Sequence, residues 1–309
     1  MKIAAITTAI LSALVSGSAL AATVYDNDGT TLSVGGRAEA RFNVSDENEV
    51  AGSTSNFKDK SRARVNLKGK TQVSDGLYGF GKYEAELDDA SDISNRYFFA
   101  GLGTDIGEFS YGKQDSAQVM LTDVTDTMAT FGADAADIVS GNKDKRENNF
   151  LYSGSFDALT VKVNYIAADE IDANSFGIAG MYSLDMGLDF GAGYVSQENG
   201  SDDDDQINLV AQYSMDAFTV GGLYTKGKVA KEDITGYEFS AKFKANKQLS
   251  LVGVYNFQEN DDTNTEEANN FAIEAVYKFN GHIRTYAGYK FEQLDNTDDQ
   301  LQAGIRYDF

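Results

Sequence analysis

Leu301, Ala303, Ile305, Tyr307 and Phe309 occupy alternate positions, and Gln302, Gly304, Arg306 and Asp308 fall between them. Successive side chains of an extended strand point to opposite faces, so this segment separates an apolar face from a polar one. A single strand of this kind would suit a soluble sandwich equally well. The pattern, however, recurs about sixteen times, in segments close to the length of a tilted strand crossing a bilayer. Strands in hydrocarbon must close on themselves, because an open sheet edge would leave backbone N–H and C=O groups unpaired. The expected fold is therefore all-β: a closed antiparallel transmembrane β-barrel.

Residues 1–21 read as a secretory signal peptide ahead of the barrel at 22–309. Lys2 precedes the apolar run Ile3 to Val15, and the small residues Ser16 to Ser18 followed by Ala19, Leu20 and Ala21 place cleavage before Ala22. That run is too short to span a membrane as a helix, and charges interrupt every later apolar stretch. Export without membrane helices fits a barrel in the cell outer membrane. The chain has no Cys, which removes disulfides and thiol chemistry. Its 48 acidic residues outnumber 26 basic ones, and this charge repels nucleic acid. With 17 Tyr and 19 Phe the chain is far too aromatic for an acidic disordered polymer. A barrel resolves the conflict by facing aromatics to lipid and charges to a wet interior and loops.

Period-two segments lie near 31–43, 58–73, 77–87, 94–103, 107–114, 146–154, 159–167, 175–182, 188–196, 206–213, 218–226, 235–244, 249–259, 269–279, 283–294 and 300–309. Tight turns alternate along the chain with longer acidic loops at 44–57, 88–93, 115–145, 168–174, 197–205, 227–234, 260–268 and 295–299. Short turns on one rim and loops on the other describe an up-and-down barrel. Alternation places Tyr237, Phe239 and Phe243 outward and Glu238 and Lys242 inward; the expected inward aromatics, Tyr78, Phe80, Phe98 and Tyr286, are too scattered to form a slide. The glycine pairs Gly35–Gly36 and Gly221–Gly222 and the stretch Gly79 to Gly81 suggest sheet curvature or close contacts between protomers.

The stretch 115–145 is the longest connection and contains Val119, Met120, Leu121, Val124, Met128, Phe131, Ile138 and Val139. A solvated tip needs no such residues, and long loops in compact folds are usually functional. The loop is therefore expected to pack on the inner wall and carry Asp123, Asp126, Asp134 and Asp137 into the channel. Parity points Arg37, Arg41, Arg62, Arg64 and Arg96 inward from the first, second and fourth strands as a facing basic wall. A more ordinary role for these arginines, neutralising lumenal Glu39, Glu84 and Glu86, is compatible with this.

Several runs together resemble a known family. They are AATVYDNDGTTLSVGGR at 22–37, ARVNLKGKTQ at 63–72, RYFFAGL at 96–102, FSYGKQ at 109–114, DVTDTMATFG at 123–132 and the strand ending in Phe309. The resemblance is to the trimeric general diffusion porins of Gram-negative bacteria, nearest to the OmpU-like and OmpL-like porins of marine gamma-proteobacteria. It implies a 16-stranded antiparallel transmembrane β-barrel, a homotrimer and a third extracellular loop folded into the lumen. By motif, Arg37, Arg64 and Arg96 match basic-cluster positions, and Asp126 and Asp134 match acidic or near-acidic positions of the constriction loop. Ala129, Thr130, Phe131 and Gly132 stand where the family often has Pro-Glu-Phe-Gly, so one expected carboxylate is missing.

The expected function is passive passage of ions and small hydrophilic solutes, with mild cation selectivity from the acidic loops. The alternatives are an adhesin or receptor, or a solute-specific channel, on the same barrel. Expected partners are a second and third copy of the chain, outer-membrane lipid and lipopolysaccharide, and the barrel assembly machinery, through the Phe309 strand. An enzyme is not expected: the one histidine, His282, sits beside the Asn280–Gly281 turn without a nucleophile or metal set. No cofactor is implied, and the acidic run Asp202 to Asp205 reads as a solvated loop without ordered cation-ligand spacing.

Overall fold

A computed structural model of the chain describes residues 21–49, 55–88, 92–200, 202–295 and 297–309, so the expected leader lies, apart from Ala21, outside the described residues. The strands in chain order are β1 (Ala22–Asn27), β2 (Thr30–Val44), β3 (Phe57–Asp59), β4 (Arg62–Ser74), β5 (Leu77–Asp88), β6 (Ile93–Thr104), β7 (Gly107–Gln114), β8 (Arg146–Phe156) and β9 (Leu159–Ile166). They continue with β10 (Ser175–Ser183), β11 (Leu188–Asn199), β12 (Asp202–Met215), β13 (Phe218–Val229), β14 (Glu232–Lys244), β15 (Leu249–Asn260), β16 (Thr265–Lys278), β17 (Ile283–Glu292) and β18 (Gln300–Asp308). One short helix, α1 (Val119–Thr122), lies in the longest loop.

These segments make a closed antiparallel barrel of sixteen staves. β18 pairs with β2 from Leu301 opposite Val44 to Asp308 opposite Arg37, which closes the cylinder. β3 pairs with the end of β2 and leads into β4, so the two form one interrupted stave. β1, a strand that alternation did not reveal, pairs with the start of β2 on the same edge as β18 and extends that stave. The join is made by backbone: Gly36 N–H donates to the Phe309 carbonyl at 2.9 Å, and Phe309 N–H donates to the Gly36 carbonyl at 3.0 Å. Gly36 is needed there, because a Cβ would overlap the Phe309 ring.

Alternation holds along the staves. In β14, Tyr237 and Phe239 face out, with Phe239 56% exposed, whereas Glu238 is fully buried inside. Outer rings pair across strands, Phe218 stacked on Phe243 at 4.6 Å and Tyr111 tilted against Phe150 at 4.5 Å, so the apolar surface is also a lattice of cross-strand pairs.

Three sequence expectations are corrected. The loops expected at 197–205 and 227–234 are largely strand: β11 runs to Asn199 and β12 begins at Asp202, while β13 and β14 are joined by Ala230 and Lys231 alone. Those two residues adopt φ of 51° and 76°, the left-handed turn that matches strand twist, without the Asn-Gly signature that would mark it in sequence. Asp202 to Asp205 are therefore part of a strand, and Asp204 is buried, accepting from Ala230 N–H at 2.8 Å. Lastly, Phe98 faces out, 66% exposed, in edge contact with Tyr83. The β5–β6 register shifts between Glu84 opposite Tyr97 and Ala85 opposite Asn95, leaving Arg96 as an extra residue. Beyond that bulge every residue of β6 changes face.

The dry core of the molecule lies inside the barrel. Ala117, Leu121, Val124 and Ala136 of the long loop pack on the inward-facing Ala179, Val210 and Leu223. A Cβ at Gly191 or Gly193 would meet the Leu121 methyls at 2.7 Å, so these two glycines make room for α1.

Candidate pore constriction

The basic wall is assembled by register. Arg37 lies opposite Arg64 and Glu39 opposite Arg62 across β2 and β4, and Arg64 lies opposite Glu86 across β4 and β5. Like charges brought so close require counterions, and three glutamates supply them. Arg62 Nε lies 2.5 Å from Glu39 Oε2, and Arg96 Nε lies 2.9 Å from Glu84 Oε1. Arg64 pairs with Glu86, which also lies 3.8 Å from Arg62 and 3.7 Å from Arg96. Glu39 further accepts from the buried Tyr286 hydroxyl at 2.8 Å and lies 3.5 Å from Arg37. The bulge places Arg96 within reach of Glu84, since its guanidinium enters the network from outside the regular ladder. Arg41 stands apart, donating from Nε to the Lys60 carbonyl at 2.9 Å.

Residues 115–145 are fastened to inward side chains of the remaining wall. Ala117 N–H donates to Asn164 at 2.9 Å, and Asn208 donates to Gln118 at 3.2 Å. The fully buried Glu238 accepts from the Thr125 hydroxyl and, at 2.8 Å, from Ala135 N–H. Glu274 receives Ala129 N–H at 2.9 Å and Thr130 N–H at 2.7 Å, and Gln302 donates to the Thr130 carbonyl at 2.8 Å. Val139 N–H and Gly141 N–H donate to Gln206 and Gln197 at 3.1 and 2.8 Å. Loop backbone that would otherwise be orphaned on burial is thus satisfied by wall side chains. These attachments lie on β9, β11, β12, β14, β16 and β18. From the arginine-bearing strands the described contact to the loop is Tyr97, whose hydroxyl donates to Asp115 at 2.9 Å.

The four loop aspartates are exposed inside the barrel and divide into two places. Asp134 accepts from Asn270 at 3.3 Å and lies 3.8 Å from Lys290. Asp123 lies among Asp115, Asp126, Lys162 and Lys145, and neither it nor Asp126 makes an ion pair within 4 Å among the described residues; Asp137 is near Gln118 at 3.5 Å. Although Asp123 meets water, the surrounding wall displaces much of the bulk solvent. That desolvation, then the carboxylates of Asp115 and Asp126, pushes its pKa up to about 6, against weaker opposition from Lys162 and Lys145. Burial likewise raises Asp126 and Asp137. Lys145 is pushed down to about 8, first by burial and then by Arg96.

Sequence reasoning missed Lys145, Lys162 and Asp115 as members of this site. Lys162 was open to the parity rule, because Asn164 two residues on is buried in the lumen. Lys145 and Asp115 sit where the loop leaves the strands, and period two stops there.

The chain matches the family model described as Gram-negative porin over residues 7–299. It is 38% identical to Porin-like protein L of Photobacterium profundum, with 97% of this chain and 98% of that one aligned. It is 33% identical to Outer membrane protein U of Vibrio parahaemolyticus over the full length of both. Among solved structures it superposes on Salmonella typhi OmpF, determined in complex with daunomycin, with a TM-score of 0.83 at 20% identity, covering 93% of this chain and 100% of OmpF. The trimer form of Vibrio cholerae OmpT gives 0.74 at 17%, covering 91% and 100%. At such identities the structural matches speak for the fold alone. On the family model and the full-length sequence relatives, this outer-membrane β-barrel belongs to the Gram-negative porin family.

Proposed function

We propose that the chain is a general diffusion channel whose narrowest point lies between the loop 115–145 and the wall of Arg37, Arg62, Arg64 and Arg96. One observation carries this reading: the loop is fastened round the lumen from β9 to β18, whereas β2 and β4 with Arg37, Arg62 and Arg64, and β5 with Glu84 and Glu86, receive no described hydrogen bond from it, and β6 meets it only through Tyr97 at Asp115 among the described residues. The free cross-section is then bounded by guanidinium groups on one side and by Asp123 and Asp126 on the other. Opposed charges across a narrow passage orient water, and a solute must replace the hydrogen bonds of the water it displaces. Ions and small hydrophilic molecules can do so.

The wall glutamates offset most of the arginine charge, so the loop aspartates and the acidic rim set a mild cation preference. Assembly is as a homotrimer, in line with the trimer form of the OmpT relative in fold. The outer apolar band meets membrane lipid, the acidic rim meets lipopolysaccharide, and the β18 strand ending in Phe309 is the segment offered to the barrel assembly machinery. Reconstitution into planar bilayers tests the reading: current is expected to be linear in voltage, unsaturating with KCl, and cation-positive in a salt gradient. A protein that inserts but stays silent would favour an adhesin or receptor. Native mass measurement in detergent checks the trimer.

A further inference from the structure

The bulge at Arg96 brings together aromatic rings that strict alternation keeps apart. Tyr97 and Phe99 face the lumen and join Tyr78 and Phe80 of the neighbouring strand. Centroids are 6.1 Å apart for Tyr78–Phe80, 6.4 Å for Phe80–Phe99 and 6.5 Å for Tyr97–Phe99, a continuous run of contacts. Gly101 and Gly103, opposite Phe80 and Tyr78, make room for the run: a Cβ at either would overlap the facing ring. From the short-turn rim the run climbs through six residues of β5, roughly 20 Å, to Glu84 and the arginine wall.

Cations flank it. Lys70 Nζ sits 3.6 Å from the Tyr78 ring centre and Lys82 Nζ 3.4 Å from that of Tyr97. Lys68 lies opposite Lys82, and Lys70 opposite Phe80. The phenols are tied off, Tyr78 to Glu108 at 2.7 Å and Tyr97 to Asp115. The two central rings, Phe80 and Phe99, are half-buried and carry no cation over their faces among the described residues. Each offers an apolar face next to an ammonium group.

We infer that the strip formed by Phe80, Phe99, Lys70 and Lys82 is a binding subsite for aromatic carboxylates on the turn-side half of the channel. This rests on the diffusion reading and names a solute class that the channel retains. A solute ring stacks on Phe80 or Phe99 while its carboxylate takes the ammonium of Lys70 or Lys82, and Arg64 and Arg96 lie next along the path. A sugar would gain the stacking but brings no negative charge to the ammonium groups. Acetate would gain the charge without a ring.

The test uses the full-length protein in a planar bilayer in 0.1 M KCl, with benzoate added from the turn side and acetate as the control. Benzoate is expected to lower the conductance in a saturable way, and acetate is not. Phe80→Leu and Phe99→Leu, which keep an apolar side chain and the KCl conductance, should each raise the half-blocking benzoate concentration about two- to tenfold, and so should Lys70→Gln when its block is normalised to its own KCl conductance. Equal effects of benzoate and acetate on the wild type, or half-blocking concentrations that none of the variants moves, would overturn the assignment and leave the diffusion reading standing. Absence of KCl conductance would remove both.

Discussion

Replacing Arg64 by Gln removes one positive charge from the wall while keeping a polar side chain of similar reach. Arg64 lies among Glu86, Glu84 and the register partner Arg37, and Glu86 retains Arg62 at 3.8 Å and Arg96 at 3.7 Å, so the network survives with its net charge lowered by one. An ion passing about 6 Å away in water interacts with that charge by roughly 0.7 kcal/mol. With a screening length of about 10 Å at 0.1 M salt, roughly 0.4 kcal/mol remains. A cation gains this and an anion loses it, so the cation-to-anion permeability ratio should rise about fourfold at 0.1 M. At 1 M the screening length is about 3 Å and the rise should shrink to about 1.4-fold. Reversal potentials in KCl gradients at the two ionic strengths measure both. Arg64→Lys keeps the charge but loses the planar fork, so it should leave selectivity close to wild type. A change below about 1.5-fold for Arg64→Gln at 0.1 M, or an equal change for Arg64→Lys, would show that ions do not pass beside this wall.

Further outcomes follow from the loop and the closure. Because the Asp123 pKa is raised to about 6, the group is ionised at pH 8 and protonated at pH 5, where an ordinary aspartate remains charged; cation preference should fall across this interval, and Asp123→Asn should flatten that step in the reversal potential. Glu274→Ala leaves the N–H groups of Ala129 and Thr130 without their charged acceptor, a loss of about 1.5–3 kcal/mol per bond before water compensates. The loop tip should loosen, with noisier open-channel current and faster liposome swelling in tetrasaccharide; unchanged noise and swelling would count against the attachment. Phe309→Ala removes a ring that lies over Gly36 and is 42% exposed, so it should cost about half of the 3–5 kcal/mol typical of a core phenylalanine. The temperature at which the folded band is lost on an unheated detergent gel should drop, and no drop would place closure in the backbone pairing alone.

The barrel was legible because lipid and water impose period two on every stave. Tyr237 and Glu238 are adjacent in sequence and see opposite solvents, so the residues themselves record the face. The turns with local chemistry were equally plain. The Ala230–Lys231 turn was not, because its left-handed backbone is imposed by the pairing of β13 with β14 rather than by either residue.

By itself, then, the sequence determined the all-β class, the outward rows, and the strands from which the arginines project inward. Tertiary structure alone decided what those groups meet. The partners of the loop are distant in the chain, 47 residues for Asn164 and Ala117, 113 for Glu238 and Thr125 and 145 for Glu274 and Ala129, and no local pattern encodes such pairs. A single extra residue at Arg96 turned Phe98 to the lipid side and brought Tyr97 and Phe99 into the lumen. The physical reason is that alternation carries information only within an unbroken ladder. Where a bulge or a loop breaks it, facing is set by register and packing across strands.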